Sequence, residues 1–102
     1  MKLLTDELKK ALPKLHSQEK VKDPLALCKF YMPLNRWVWY PFEFDGEDEF
    51  FGYVVGDNPE VGNFTLSKLE RISEAYGLEM DTSFKPTRLS ELKKVHEPWL
   101  YE

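Results

Sequence analysis

Trp37-Val38-Trp39-Tyr40-Pro41-Phe42-Glu43-Phe44-Asp45-Gly46-Glu47-Asp48-Glu49-Phe50-Phe51-Gly52-Tyr53-Val54-Val55 is the stretch that decides the fold. Aromatic and β-branched side chains suit a pleated, half-buried surface, and here they form two runs separated by Asp45-Gly46-Glu47-Asp48. Glycine supplies the positive φ that a tight hairpin turn demands. The stretch therefore predicts antiparallel strands over residues 36–44 and 49–55.

Toward the N-terminus, a further run over residues 25–32 is separated from this hairpin by Pro33-Leu34-Asn35 and reads as a third strand, completing a β-meander. Toward the C-terminus, Asp57-Asn58-Pro59 turns the chain, and residues 62–66 read as a short additional strand. Leu78, Met80, Thr82 and Phe84 alternate with Glu79, Asp81 and Ser83, the period of a half-buried strand, which Pro86 ends. Helices frame these strands. Thr5 with Asp6 and Glu7 is a helix start, and Leu4, Leu8, Ala11 and Leu12 recur at helical spacing, giving a helix over 5–12. Residues 16–23 form a polar loop that Pro24 closes. Ser67-Lys68-Leu69-Glu70 has capping-box spacing, Leu66, Leu69, Ile72 and Tyr76 share one side, and Gly77 stands at the C-cap. Leu89, Leu92 and Val95 mark a last helix over 87–96, and the aromatics of Pro98-Trp99-Leu100-Tyr101 predict a tail docked on the body.

No internal repeat is visible. The order αβββ(β)αβα predicts an α+β fold: an antiparallel β-meander of three to five strands with helices packed on one face. The helices at 5–12 and 67–77 are expected on the face holding Phe30, Tyr40, Phe42 and Val54.

A length of 102 residues allows one core, and a composition 42% hydrophobic and 31% charged supplies it without a case for disorder. There is no apolar run long enough for a membrane span, and Cys28 is the only cysteine, which excludes an internal disulfide or a Cys-paired zinc site. A cytoplasmic location without membrane contact is expected. The net charge of −4 is unevenly placed: residues 37–67 hold seven acids and no Lys or Arg. Such a segment repels a nucleic-acid backbone, so no direct nucleic-acid binding is expected.

The order Leu3-Leu4-Thr5, Leu12-Pro13, Lys22-Asp23-Pro24, Trp37-Val38-Trp39-Tyr40, Glu43-Phe44-Asp45-Gly46-Glu47-Asp48, Phe50-Phe51-Gly52, Leu66-Ser67, Phe84-Lys85-Pro86 and Leu89-Ser90 resembles the bacterial domain-of-unknown-function family DUF2958 nearly end to end. The resemblance implies a setting among plasmids, phages and conjugative elements, near DNA-processing or antirestriction genes, and no assigned activity. The chain departs from the family in reading Met80-Asp81-Thr82-Ser83-Phe84 where members often carry Glu-Arg-Asp.

Strict alternation would place Ala26, Cys28, Phe30, Met32, Val38, Tyr40, Phe42, Phe44, Phe50 and Val54 on one face of the meander. The other face would hold Lys29, Tyr31, Trp37, Trp39, Glu43, Phe51 and Tyr53. That second face is either a small second core or a partner-binding surface, with Trp37, Trp39, Phe51 and Tyr53 as anchors and Lys29 and Glu43 at the margin. The acid block Glu43, Asp45, Glu47, Asp48 and Glu49 is either a solvated hairpin tip or an anionic rim for a partner. Its spacing lacks that of a calcium loop, so no metal is expected. His16 and His96 lie far apart at helix ends, Cys28 falls on the core face, and no phosphate loop or nucleophile elbow occurs. The expectation is a protein-binding module without cofactor or catalysis. The alternative is an acidic inhibitor that competes with nucleic acid on a restriction or interference enzyme.

Overall fold

The computed structural model describes residues 3–17 and 21–101; residues 18–20 of the expected polar loop lie outside the described residues. Thr5 caps α1 (Asp6–Ala11), its hydroxyl accepting the Leu8 N–H at 3.1 Å. The run expected as one strand over 25–32 divides into β1 (Leu25–Ala26) and β2 (Phe30–Tyr31). Then come β3 (Val38–Phe44), β4 (Glu49–Val55), β5 (Pro59–Thr65), α2 (Leu66–Tyr76), β6 (Glu79–Met80), β7 (Thr87–Arg88), α3 (Leu89–His96) and a 3-10 turn at Pro98–Tyr101. Five strands form an antiparallel sheet in the order β5-β4-β3-β2-β6, and β1 pairs with β7 in a separate two-stranded ladder. The fold is α+β, and β2 to β5 form the meander.

The alternation within β3 is interrupted. Trp39 pairs with Val54, Tyr40 with Tyr53 and Pro41 with Gly52, but the next pairs are Glu43 with Phe51 and Phe44 with Phe50. Phe42 is an extra residue, a β-bulge, and it follows a proline that has no N–H to give to a central ladder. Beyond the bulge the phase reverses, so Phe44 faces away from Tyr40. The two faces therefore differ from the strict-alternation expectation. One holds Phe30, Trp39, Phe44, Phe50 and Phe64 and is covered by Leu4, Leu66 and Leu69. The other holds Val38, Tyr40, Phe42 and Tyr53 and is covered by Leu92 of α3. Tyr40 and Phe42 thus lie opposite the face of α1 and α2, and Trp39 lies beneath α2. Helices occupy both faces, because both are apolar.

Each long helix begins against a distant carboxylate. Leu66 N–H donates to the Asp48 carbonyl at 2.7 Å, and Ser67 gives its N–H and hydroxyl to the Asp48 carboxylate at 2.8 and 3.0 Å. At α3, Leu89 N–H donates to the Pro24 carbonyl at 2.9 Å, and Ser90 gives both donors to Asp23 at 2.8 and 2.7 Å. The Leu-Ser-x-Leu sequence occurs at both starts, at Leu66–Leu69 and Leu89–Leu92. The expected capping box does not form; the N-cap is Thr65, whose hydroxyl accepts the Lys68 N–H at 3.2 Å. Gly77 ends α2 at φ 83, as its position predicts. The strand expected over 78–84 stops at Met80, because Asp81 accepts the N–H and hydroxyl of Ser83 at 2.9 and 2.7 Å and turns the chain. The tail is less covered than expected, with Trp99 and Tyr101 more than half exposed.

Gly52 is the residue that the bulge requires. A Cβ there would lie 2.3 Å from the Tyr40 carbonyl oxygen and 2.9 Å from Pro41 Cα, whereas one on its ladder partner Gly62 would meet nothing within 4 Å. Gly52→Ala is expected to cost about 3 kcal/mol in urea unfolding, and Gly62→Ala to stay within about 1 kcal/mol of the parent. Equal costs would remove the close approach from the account.

Candidate functional site

β5 lies at one edge of the five-stranded sheet. The bond from Leu66 N–H to the Asp48 carbonyl fixes the phase of the ladder with β4. Hydrogen-bonded and non-hydrogen-bonded pairs alternate in antiparallel sheets, so Phe64, Gly62 and Glu60 bond to β4. Val61 and Asn63 turn their N–H and C=O groups away from the sheet, and among the described residues no backbone group meets them.

A cleft lies on each side of this edge. On the α3 face a cleft of about 490 Å³ has apolar walls from Leu15, Val21, Phe51 and Val61. Its polar groups are Glu43, His16, Lys22 and Asn63. Glu43 is only 2% exposed, and its carboxylate accepts the His16 N–H at 2.8 Å, holding His16 at a φ of 68°. A buried carboxylate needs such donors, and this one ties the segment after α1 to the sheet alongside the bond from Phe44 N–H to the Pro13 carbonyl. On the α2 face a cleft of about 420 Å³ is lined by Trp37, Trp39, Val54, Phe64, Ile72 and Tyr76, with Glu60 and Lys68 also contributing. Trp37 and Trp39 pack with centroids 5.7 Å apart, and the ring of Trp37 lies so close to Gly56 that a Cβ there would sit 2.4 Å from it.

The structure thus divides the expected aromatic face. Trp37 and Trp39 join in one cleft, and Glu43 and Phe51 in the other on the opposite side of the sheet. Trp39, 4% exposed, serves mainly as core, and Tyr53, fully buried, stacks on Tyr40 with centroids 6.1 Å apart. Lys29 stands apart from both clefts, 4.0 Å from Asp81 and above the Tyr31 and Tyr40 rings.

The family model for a protein of unknown function, DUF2958, matches residues 3–97. The chain belongs to the DUF2958 family. Comparison with curated proteins and with solved structures finds no match. Both clefts and the β5 edge lie within the segment that makes this a DUF2958 chain.

The acid block of this DUF2958 protein is largely engaged within the fold. Asp45 accepts the N–H groups of Glu47, Asp48 and Glu49 at 2.8, 2.8 and 3.0 Å. These bonds, that of Glu47 foremost, hold its carboxyl below the usual range. Asp48 caps α2, Glu49 accepts from the Asn63 amide at 3.0 Å, and Glu47 is exposed. Among the described residues no group of three or more His, Cys, Asp and Glu is arranged to hold a metal ion, and no helix is long and apolar enough to cross a membrane. Burial pushes the Cys28 thiol up to about 12, far from a nucleophile's range.

His96, at the helix end where it was expected, is partly buried. Its Nε2 lies 2.7 Å from the Tyr40 hydroxyl, while Tyr53 donates to Glu97 at 2.6 Å, so two sheet tyrosines grip the end of α3. Burial, reinforced by Lys29 and opposed by Glu97, lowers the His96 pKa. The fold therefore favours neutral imidazole: this contribution is complete above the unfolded value near 6.5 and is lost as pH falls toward the folded one. Urea unfolding between pH 7.5 and 5, above the range where the carboxylates titrate, should show stability falling with pH in the parent. The fall should be smaller in His96→Gln, which keeps a polar partner for Tyr40. An identical slope in the variant would remove His96 as the cause.

Proposed function

We propose that this chain is a non-catalytic protein-binding module of mobile DNA biology, and that its contact region is the β5 edge with the two clefts beside it. The observation that carries this reading is the outer edge of β5, seven residues long, unpaired among the described residues and flanked on both faces by apolar clefts. Exposed strand edges are ready templates for another chain, and Val61, 42% exposed, and Tyr76, 65% exposed, are large apolar groups placed where a partner would cover them. The carboxylate of Glu43 is bonded to the His16 backbone, which suits a structural role better than proton transfer. The acidic-inhibitor reading has less support, since Asp45, Asp48 and Glu49 are bonded within the fold.

The test is affinity capture from a host carrying the mobile element, using the parent chain, Val61→Asp, Tyr76→Ala and Glu47→Lys. The substituted residues are exposed, so all three variants should unfold in urea close to the parent. A stoichiometric protein partner should bind at least tenfold more weakly to the first two, about 1.4 kcal/mol, and equally well to Glu47→Lys. Retention by both cleft variants contradicts the assignment, and loss in Glu47→Lys alone supports the acid-block alternative.

A further inference from the structure

We infer that β5 receives an extended, basic segment of a partner protein as a sixth strand of the main sheet, with alternate side chains of that segment entering the two clefts. This rests on the binding-module reading and specifies its ligand. A strand laid along β5 would pair with the outward N–H and C=O groups of Val61 and Asn63. Its successive side chains would then point to opposite faces. Those on the side of Val61 and Asn63 reach the Glu43 cleft, and those on the side of Glu60 and Phe64 reach the Trp37–Trp39 cleft. Main-chain pairing supplies affinity in this mode, and the pockets for alternate residues supply specificity.

Charge selects the occupant. Residues 37–67, which build β3, β4 and β5, contain seven acids and no Lys or Arg. Two copies joined edge to edge would bring two such segments together, whereas a basic strand is complementary to them. The α3-face cleft is walled in part by Glu43, Phe51, Val61 and Asn63 of this acidic segment, which makes it the place for a lysine or arginine side chain. The α2-face cleft, walled by Trp37, Trp39 and Ile72, takes an aliphatic or aromatic one. Among the described residues lining the two clefts the lysines are Lys22 and Lys68, and each comes from outside the acidic segment.

The probe is a fluorescein-labelled nine-residue peptide that alternates lysine and leucine, titrated into the intact chain and followed by anisotropy. Two controls accompany it: the same peptide with glutamate for lysine, and the same peptide N-methylated at alternate amides, which keeps its charge but blocks one pairing edge. The lysine peptide should bind at micromolar concentration, and both controls at least tenfold more weakly. Val61→Pro should weaken the lysine peptide at least tenfold while remaining folded, since the N–H it removes faces outward; if Val61→Pro unfolds, the N-methylated peptide carries the same test. Equal binding of the N-methylated peptide, absence of binding by the lysine peptide, or a chain that dimerises through β5 would overturn the inference. If the inference falls while Val61→Asp still loses its captured partner, the module reading stands and the partner docks by surface contact instead.

Discussion

The bulge at Phe42, between Pro41 and Glu43, is the constraint on which the rest of the molecule depends. A regular β3 would send Phe44 to the face of Tyr40 and Phe42. With one residue added, Phe42 and Glu43 turn together toward α3, and Phe44 joins Phe50 and Phe64 in an aromatic row beneath α1 and α2. The same step places a carboxylate in the α3-face cleft, where it holds the segment after α1. It also presses the β3 backbone against β4 so closely that only glycine fits at position 52. Core, cleft and the position of the N-terminal segment thus follow from one local irregularity.

Both faces of the sheet become apolar as a result, and each needs a covering helix. The two long helices are fixed in the same manner, by an aspartate from a distant turn that takes both donors of a serine in the first turn. Carboxylates at helix N-termini also oppose the positive end of the helix dipole. This arrangement explains why acids concentrated around the hairpin do not simply repel one another: several neutralise backbone donors. Among the described residues, the outer edge of β5 is left without a neighbouring strand.

The central hairpin was legible in the sequence because its signals are local: Asp45-Gly46 for the turn, and alternating aromatic and β-branched residues for the strands. Thr5 and Gly77 were legible for the same reason. The assignment of side chains to faces was not, since the phase between strands depends on register, and a slip of one residue exchanges the faces. Pro41 within a central strand was the available signal for a bulge. Around β5 (Pro59–Thr65), only residues 62–66 carry a strand signal in the sequence, because an edge strand with one side in solvent shows no clean alternation. The remote caps were invisible because Asp23 and Ser90 are 67 residues apart. The two clefts needed tertiary structure, since Leu15 and Val61, or Trp37 and Ile72, have no sequence relation.

The claim joining fold to function is the phase of the free edge, and amide hydrogen exchange of the isolated chain tests it most directly. The account predicts slow exchange at Glu60, Gly62 and Phe64, whose N–H groups bond to β4, alternating with fast exchange at Val61 and Asn63. Uniform protection along residues 60–64, or alternation in the opposite phase, would contradict it.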